Sequence, residues 1–334
     1  MMAQSRIIIF GAGSIGCYLG GRILQGGGRV RFIGRDRYAQ AIAENGLSLT
    51  RYDDPIVRLT DIDFQTDPTG LKGAEIVALC VKSGDTRDAA RMIRDYAPKA
   101  WIVSFQNGLS NLPALCDELP NNKISGAVVP FNVTSPTSGQ FHQGTAGDLI
   151  IGPEAPEALT GSLRQAGVGV QIVDDIDGHL WAKLLVNLNN ALNALSGGPL
   201  RDGLIQRDYR RVLIAMIEEG LAVAKAEGVA VATFNGRAPQ ALLKIMSRPD
   251  WIYRIIMDRI VKIDRTARSS MLDDLELGRS SELDHLQGEI VRRSDRMGVD
   301  APVNRAVMAA VEQAFAQKKS PRLSGAQMVE LFLR

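Results

Sequence analysis

Three glycines near the start of the chain have the spacing of a dinucleotide-binding turn. Gly11, Gly13 and Gly16 follow the apolar run 7–10 and open into a segment predicted to be helical. In such a turn the first glycine permits a sharp bend, the second lets the backbone approach a pyrophosphate, and the third lets the helix pack against the strand. The free N–H groups at the helix start then bind the phosphates. An ordinary glycine-rich turn is the alternative, since the chain has 33 glycines in 334 residues, but the order strand, turn, helix favours a nucleotide.

The residues after the second predicted strand bear on the choice of cofactor. An acid there binds the ribose hydroxyls of NAD, whereas an arginine can bind the additional phosphate of NADP. Arg35 and Arg37 flank Asp36 at this point, and a guanidinium can bind a phosphate through two parallel hydrogen bonds. The arginines favour NADP. A shift of one or two residues in register would instead make Asp36 the ribose ligand of NAD.

Two further loops carry polar side chains at the predicted carboxyl ends of strands. Lys82 follows one strand and Asn107 follows the next. Ligands bind at that edge of a parallel sheet, so we expect both side chains to contact cofactor or substrate. Taken singly, Lys82 is more often a solvated lysine and Asn107-Gly108 more often a turn dipeptide, so the two positions support a ligand site only together.

One helical segment in the second half is unusually rich in asparagine. Asn187, Asn189, Asn190 and Asn193 fall within it, although asparagine is a poor helix former. Lys183, Asn187 and Asn190 recur at about one-turn spacing on one face. The alternative is a solvated polar stripe, but a surface helix more commonly carries Glu and Lys. We therefore predict that this stripe faces a cleft beside the nicotinamide.

Short apolar runs alternate with helix-like segments through the first half of the chain. Continuous apolar runs are typical of a parallel sheet that is buried on both faces. The order predicts an α/β fold with an N-terminal Rossmann-like doubly wound sheet. The predicted strands are 7–10, 30–33, 76–81, 101–105 and 124–129, with further strands in 139–152 and 169–173, and the predicted crossover helices are 15–24, 38–45, 84–96 and 111–119.

From residue 178 onward the apolar residues recur at helical spacing, which predicts a C-terminal all-helical domain. The predicted helices are 180–195, 208–228, 239–246, 251–277, 282–297 and 303–316. Two domains follow: a dinucleotide-binding Rossmann domain over 1–175 and an all-helical substrate and dimerisation domain over 176–334. Its long helices would supply the interface of a homodimer.

Composition narrows the class of protein. The formal net charge is +2 and no basic block stands out, so a nucleic-acid partner has no electrostatic support. The three cysteines and three histidines are scattered, without the spacing of metal ligands or of a disulfide framework, which favours the cytoplasm and no metal. The first strand begins too early to leave room for a signal peptide, and no apolar stretch approaches the roughly 20 residues that span a bilayer. We expect neither membrane nor nucleic acid as a partner.

The order and spacing of these motifs resemble those of the ketopantoate reductase (2-dehydropantoate 2-reductase) family, over nearly the whole chain. The matching pieces are Gly11–Gly16, Arg35, Val81-Lys82, Gln106-Asn107-Gly108, Trp181-x-Lys183-Leu184-x-x-Asn187, and Ser269-Ser270-Met271-Leu272 with Glu282 downstream. The resemblance implies a Rossmann domain joined to a helical domain, NADPH as cofactor, and reduction of a small 2-oxo acid, most directly 2-dehydropantoate to pantoate.

The resemblance also implies roles for individual residues. The predicted catalytic residues are Lys183 and Glu282, the predicted substrate ligands are Asn107, Asn187 and Ser270, and the predicted cofactor ligands are Gly11, Gly13, Gly16, Arg35, Lys82, Asn107 and Glu282. Each assignment in the helical half has a structural alternative. Lys183 would be a solvated lysine, Glu282 an acid that favours a helix dipole beside the capping pair Ser281 and Asp284, and Ser270 a buried serine bonded to its own helix.

A mechanism follows from the chemistry of ketone reduction. Hydride transfer places negative charge on the carbonyl oxygen, and a cationic acid beside that oxygen stabilises the charge and then supplies a proton. A lysine suits this role when burial lowers its pKa. Lys183 would be that acid, Asn187 and Asn107 would fix its position, and Glu282 would accept a hydrogen bond from a substrate hydroxyl or hold Lys183 by charge.

Three departures from the family pattern leave the substrate open. Ala191 and Ala267 stand where family members often carry asparagine, and the loop 129–132 lacks the threonine- and glycine-rich form. Asn190 or Asn193 would have to compensate for Ala191. The alternatives are a reductase of the same fold that acts on a different 2-oxo acid, and a non-catalytic NADP-binding sensor.

Overall fold

The computed structural model describes residues 6–51, 54–135, 137–233, 236–260 and 267–334. The chain forms two compact units, one ending at Ile176 and the other beginning at Asp177. The assignment of 1–175 to cofactor binding and of 176–334 to substrate binding and dimerisation stays a prediction.

The first unit is an α/β structure. Its strands are β1 (Ile7–Phe10), β2 (Val30–Ile33), β3 (Leu47–Arg51), β4 (Val57–Leu59), β5 (Phe64–Gln65), β6 (Ile76–Leu79), β7 (Trp101–Ser104), β8 (Ile124–Val128), β9 (Val133–Thr134), β10 (Gln140–Gln143), β11 (Leu149–Ile151) and β12 (Val170–Ile172). Its helices are α1 (Ser14–Gln25), α2 (Asp36–Asn45), α3 (Thr86–Tyr96), α4 (Asn111–Glu118) and α5 (Glu157–Gln165), with 3₁₀ helices at Pro68–Leu71 and Ser83–Asp85.

The main sheet has the strand order β12-β11-β8-β7-β6-β1-β2-β5 within the described residues. Strand β1 pairs in parallel with both β2 and β6, and the parallel pairing continues through β7 to β8. The predicted Rossmann-like sheet is therefore confirmed. Strand β11 differs, because it runs antiparallel to β8. The described residues between those two strands form β9 and β10 and no helix, and only a parallel pair needs a helical crossover.

Both faces of the main sheet are buried, as continuous apolar strands require. Successive residues of β1 point to opposite faces, so Ile7 and Ile9 join one core cluster while Ile8 and Phe10 join the other. The apolar run that precedes the glycines is thus the centre of the first unit, and it fixes the position of the turn that follows it.

A smaller sheet of order β4-β3-β10-β9 was not predicted from the sequence. Strand β3 alternates apolar and polar residues over only five positions, and β4 and β9 are shorter still. Strands this short show too little alternation to be predicted from the sequence, and they depend on a packing partner for stability. Here that partner is α1, since a Cβ atom added to Gly21 would lie 2.6 Å from the side chain of Leu47.

The second unit is helical, as predicted. Its helices are α6 (Ile176–Asn187, which begins at the end of the first unit), α7 (Asn189–Ser196), α8 (Leu200–Leu204), α9 (Arg207–Ala226), α10 (Pro239–Met246), α11 (Asp250–Ile260), α12 (Ser270–Glu276), α13 (Gln287–Met297), α14 (Pro302–Ala316) and α15 (Gly325–Phe332), with a 3₁₀ helix at Leu283–His285. Helices α8 and α15 were not predicted.

Several predicted helix boundaries in this unit are wrong. The single helix expected over 180–195 is divided at Leu188 into α6 and α7. The helix expected over 251–277 corresponds to α11 and α12, and residues 261–266 lie outside the described residues. The helix expected over 282–297 begins as a 3₁₀ turn before α13. Helical periodicity does not register such short interruptions, because the apolar face continues across them.

Candidate active site

The glycine turn after β1 gives each of its three glycines a separate steric reason. Gly11 has φ of 98°, and a Cβ atom there would lie 2.3 Å from the backbone nitrogen of Val81. A Cβ atom on Gly16 would lie 2.6 Å from the carbonyl oxygen of Gly11. At Gly13 the nearest atom would be 4.0 Å away. Gly11 and Gly16 are therefore required by packing, whereas Gly13 leaves its side of the turn open to a ligand.

The start of α1 is prepared for an anion. Gly13 is the N-cap residue and supplies no side-chain cap, and the first turn carries no acidic residue. The helix therefore keeps unpaired N–H groups and a positive dipole end at the turn. The backbone N–H groups of Gly11 and Ala12 both donate to the carbonyl of Ile33 at 2.9 Å, which ties the turn to the end of β2. These residues fit the pyrophosphate of a dinucleotide.

Arg35 follows β2 directly and is the N-cap residue of α2. Its side chain is 63% exposed, and its Nη2 atom lies 3.7 Å from Oδ2 of Asp85. Asp36 is the exposed first residue of α2, and the guanidinium of Arg37 lies 4.9 Å from the ring centroid of Tyr38. Arg35 thus occupies the position at the end of the second strand where the adenosine ribose binds in this class of fold.

Lys82 and Asn107 lie in the loops that follow β6 and β7, and these two strands are paired in parallel. Both residues are half-buried. Together with the glycine turn and Arg35, they occupy the carboxyl ends of the adjacent strands β7, β6, β1 and β2. The structure therefore brings the predicted residues of the first unit to one edge of its sheet.

A buried network of uncharged side chains connects the loops of Lys82 and Asn107. The Oγ atom of Ser83 donates to the carbonyl of Asn107 at 2.8 Å, and Nδ2 of Asn111 donates to the same carbonyl at 2.6 Å. Nε2 of Gln106 donates to the carbonyl of Val81 at 3.1 Å and to Oγ1 of Thr86 at 2.8 Å. Sequence reasoning did not identify Ser83, Thr86 and Asn111. The available signal was the presence of polar residues at the starts of two helices beside buried strands.

In the second unit, Lys183 and Asn187 lie one turn apart on α6. Asn187 is buried and Lys183 is partly exposed. Trp181, Leu184 and Leu185 of the same helix are also buried. Burial removes water from the ammonium group and lowers the pKa of Lys183 from 10.5 to about 8. The alternative of a fully solvated lysine is therefore wrong.

The interruption between α6 and α7 is held by a buried glutamine. Nε2 of Gln287 donates to the carbonyl of Leu188 at 3.0 Å, and Leu188 is the one residue between the two helices. Gln287 is fully buried at the start of α13, five residues after Glu282. Its Oε1 atom has no hydrogen-bond partner among the described residues. The segment that carries Glu282 is thereby attached to the helix that carries Lys183 and Asn187.

Asn193 does not compensate for the alanine at position 191. Asn193 is fully buried, its Oδ1 accepts a hydrogen bond from the backbone of Ser269 at 2.9 Å, and its Nδ2 donates to the carbonyl of Gly198 at 2.8 Å. Ala191 itself is fully buried in α7. The side chain of Asn193 is used to hold the chain just before α12, so the suggestion that it binds substrate is wrong. Asn190 is the second residue of α7, beyond the interruption at Leu188.

Ser270 and Glu282 both lie at the starts of helical turns. Ser270 is the exposed first residue of α12, and the preceding Ser269 caps that helix by accepting from the backbone of Leu272 at 3.2 Å. The alternative of a buried helical serine at position 270 is therefore wrong. Glu282 is half-buried and precedes the 3₁₀ helix Leu283–His285, while Ser281 accepts a hydrogen bond from the backbone of Leu283 at 3.0 Å.

Comparison with known proteins agrees with this arrangement. The family described as ketopantoate reductase PanE/ApbA matches residues 7–156, and its C-terminal domain matches residues 175–314. The chain belongs to the ketopantoate reductase family. Members of this family are NAD(P)-dependent oxidoreductases, and the chain is therefore an enzyme of the oxidoreductase class.

Individual family members are similar to this chain over almost their full length. The 2-dehydropantoate 2-reductase of Halobacterium salinarum is 28% identical over 311 residues, which cover 90% of this chain and 95% of that protein. The crystal structure of a PanE/ApbA family ketopantoate reductase from Ralstonia eutropha JMP134 is 32% identical with a TM-score of 0.80, covering 94% of this chain and 99% of that one. D-mandelate dehydrogenase in complex with NADH and anilino(oxo)acetate has a TM-score of 0.80 at 17% identity, covering 94% and 99%, and shares the fold alone.

The loop 129–132 contributes to the core of the first unit. Phe131 is buried in the core of the first unit and packs edge-on against Tyr18, with 5.8 Å between the ring centroids. Part of this loop therefore belongs to the core.

The described residues contain no group of three or more His, Cys, Asp or Glu side chains placed to hold a metal ion. None of the described helices is both long enough and apolar enough to span a bilayer.

Proposed function

We propose that this ketopantoate reductase family member catalyses the NADPH-dependent reduction of 2-dehydropantoate to pantoate. The observation that carries the proposal is Lys183, a partly buried lysine whose pKa of about 8 leaves it protonated at neutral pH and able to release its proton. A protein that only bound NADP as a sensor would not need such a group. The names of its relatives, among them the 2-dehydropantoate 2-reductase of Halobacterium salinarum, support the substrate.

The first unit would hold the cofactor. The N–H groups at the start of α1 and the open side of Gly13 would bind the pyrophosphate, and Arg35 would bind the 2′-phosphate. Lys82 and Asn107, whose loops the buried network connects at the ends of β6 and β7, would contact the nicotinamide half and the substrate. The bound nicotinamide supplies the hydride, and the protein supplies orientation and charge.

Lys183 acts as the general acid. Its Nζ atom donates a hydrogen bond to the ketone oxygen of the substrate, stabilises the negative charge that develops there, and transfers a proton to it. Because burial has already removed part of the water around the ammonium group, less solvent has to reorganise during the transfer. Asn187, one turn along α6, fixes the direction of that hydrogen bond.

Ser270 and Glu282 bind the remainder of the substrate. The hydroxyl of Ser270 is exposed at the start of α12 and donates a hydrogen bond to a substrate oxygen. The Glu282 carboxylate accepts a hydrogen bond from the substrate hydroxyl, and it also belongs to the cofactor ligands that we propose. Asn193 and Gln287 keep these two groups in place through their bonds to Ser269 and Leu188.

The test is loss of NADPH absorbance with the purified full-length chain. Turnover is expected with 2-dehydropantoate, and Lys183→Ala is expected to lower kcat by roughly 10²- to 10⁴-fold, the usual contribution of a positioned acid. Lys225→Ala, which removes an exposed lysine of α9, is the matched control and should leave kcat unchanged. Turnover of another 2-oxo acid but not of 2-dehydropantoate would reject the substrate, and NADPH binding without any turnover would reject the enzyme mechanism.

The cofactor is tested separately by binding. Arg35→Ala is expected to weaken NADPH and to leave NADH nearly unaffected, because only NADPH carries the phosphate that Arg35 binds. An equal effect on the two cofactors would reject this role of Arg35. The homodimer stays a prediction, and light scattering of the purified chain would measure its mass directly.

A further inference from the structure

Arg35 and Asp85 lie in the two loops that flank the glycine turn, and their side chains form an ion pair between these loops. Arg35 follows β2 and Asp85 ends the 3₁₀ helix after β6, while β2 and β6 are the two neighbours of β1 in the sheet. Their side chains approach to 3.7 Å between Nη2 and Oδ2. The carboxylate of Asp85 therefore lies beside the guanidinium that is proposed to bind the cofactor phosphate.

Within the part of the chain that the structure describes, the carboxylate of Asp85 is not bonded to the start of α3. Asp85 is the N-cap residue of α3, a position where aspartate ordinarily accepts hydrogen bonds from the first N–H groups of the helix. Here its side chain makes no capping bond. The pair is also exposed, at 63% for Arg35 and 58% for Asp85, and pairs of this kind add little to stability. Both charges are therefore accessible to a bound ligand.

We propose that Asp85 is a specificity-determining residue that competes with the 2′-phosphate of NADPH for Arg35. The proposal rests on the proposed role of Arg35 as the ligand of that phosphate. When Arg35 binds the phosphate, the two negative groups are brought close together and repel each other. NADH has no 2′-phosphate, so its binding does not meet this repulsion. Asp85 thereby narrows the preference of this chain for NADPH over NADH, and the exposed Asp36 beside Arg35 adds a second negative charge to the same region.

The experiment measures dissociation constants of NADPH and NADH by cofactor fluorescence, without turnover, on the purified full-length chain. Asp85→Asn keeps the size of the side chain and removes its charge. Because a carboxylate and a dianionic phosphate would share one guanidinium near the surface, this variant is expected to bind NADPH about threefold to tenfold more tightly. NADH affinity should change by less than about twofold. NADH has no 2′-phosphate, so Asp85 acts only on its more distant charges, and that effect is largely screened by salt. Adding salt should reduce the gain for NADPH.

Asp88→Asn is the matched control. Asp88 is an exposed aspartate of α3 that pairs with Arg91 at 3.0 Å, so the same charge is removed from the same helix away from Arg35. It should leave both constants unchanged. In the Arg35→Ala background, Asp85→Asn should favour NADPH much less, since no guanidinium then holds the phosphate beside position 85.

The outcomes separate this proposal from the one on which it rests. If Arg35→Ala weakens NADPH selectively while Asp85→Asn leaves NADPH unchanged, or shifts both cofactors equally, the role of Asp85 is wrong and the phosphate site stands. If Asp85→Asn weakens NADPH, the carboxylate supports Arg35 instead of competing for it, and the proposal is again wrong. If Arg35→Ala affects both cofactors equally, both proposals are overturned.

Discussion

Replacing Lys183 with methionine should stabilise the protein at neutral pH while it removes catalysis. The pKa of Lys183 falls from 10.5 to about 8 because burial disfavours the charged amine. Each pKa step corresponds to about 1.4 kcal/mol, so keeping this amine protonated in the folded state costs up to about 3 kcal/mol at pH 7. Methionine has a similar length and no charge. We expect Lys183→Met to raise the free energy of unfolding by about 1 to 3 kcal/mol, the lower values reflecting the partial exposure of the side chain.

The pH dependence of this gain is fixed by linkage. Between pH 8 and 10.5 the unfolded chain binds more protons at this lysine than the folded chain does. The stability of the unsubstituted protein therefore rises with pH across that window, relative to the variant. Below about pH 8 the full advantage of Lys183→Met is present, and above about pH 10.5 it is lost. Groups other than Lys183 titrate alike in the two proteins and cancel in the difference.

Urea unfolding at pH 7 and at pH 10.5 measures this difference, with kcat recorded on the same samples. Lys225→Met, on the exposed face of α9, makes the same chemical change without a buried amine and should stay within about 0.5 kcal/mol of the parent at pH 7. A Lys183→Met variant that is less stable than the parent at pH 7, or whose gain does not shrink at pH 10.5, would show that water surrounds the ammonium group. The assignment of Lys183 as a tuned acid would then be refuted.

Three further predictions concern the acid, the glycine turn and the buried glutamine. The rate of ketone reduction should fall as pH rises through about 8, because Lys183 loses its proton there, and a kcat profile from pH 6 to 10 measures this; a flat profile would exclude Lys183 as the acid. Gly13→Ala should fold normally but bind cofactor more weakly, whereas Gly11→Ala should lose more than about 2 kcal/mol of stability because its Cβ atom meets backbone at 2.3 Å; thermal unfolding and NADPH titration separate the two, and equal stabilities would contradict the geometry. Gln287→Leu should cost about 0.5 to 1.5 kcal/mol by removing a buried hydrogen bond to the Leu188 carbonyl, measured by urea unfolding, and an unchanged stability would show that this bond does not stabilise the fold.

The candidate site was found from the sequence to the extent that its residues follow local rules. The glycines at 11, 13 and 16 follow a buried strand and precede a helix, and Gly11 and Gly16 have the steric roles that their positions predict. Lys82 and Asn107 could be placed together because the carboxyl ends of neighbouring parallel strands meet at one edge of a sheet. Lys183 and Asn187 could be paired because residues four apart share a helix face.

The residues that hold these groups in place were beyond local rules. Asn193 was counted among possible substrate ligands, yet its amide oxygen accepts a hydrogen bond from the backbone of Ser269, 76 positions away. Gln287 bonds to Leu188 across 99 positions. The sequence spacing of either residue does not predict its partner, because such a bond depends on which segments come into contact when the chain folds.

The amino-acid sequence by itself determined the α/β structure of the first unit, the helical structure of the second, and the glycine turn. Its motifs also indicated the reductase family to which the chain belongs. These features depend on periodicity and on short spacings, which each stretch of chain expresses independently of the rest. Only the tertiary structure decided the division of α6 from α7, the side chains that fix Ser269 and Leu188, the lowered pKa of Lys183, and the approach of Asp85 to Arg35. Each of these is set by burial or by contact between distant segments, and neither exists until the segments have packed together.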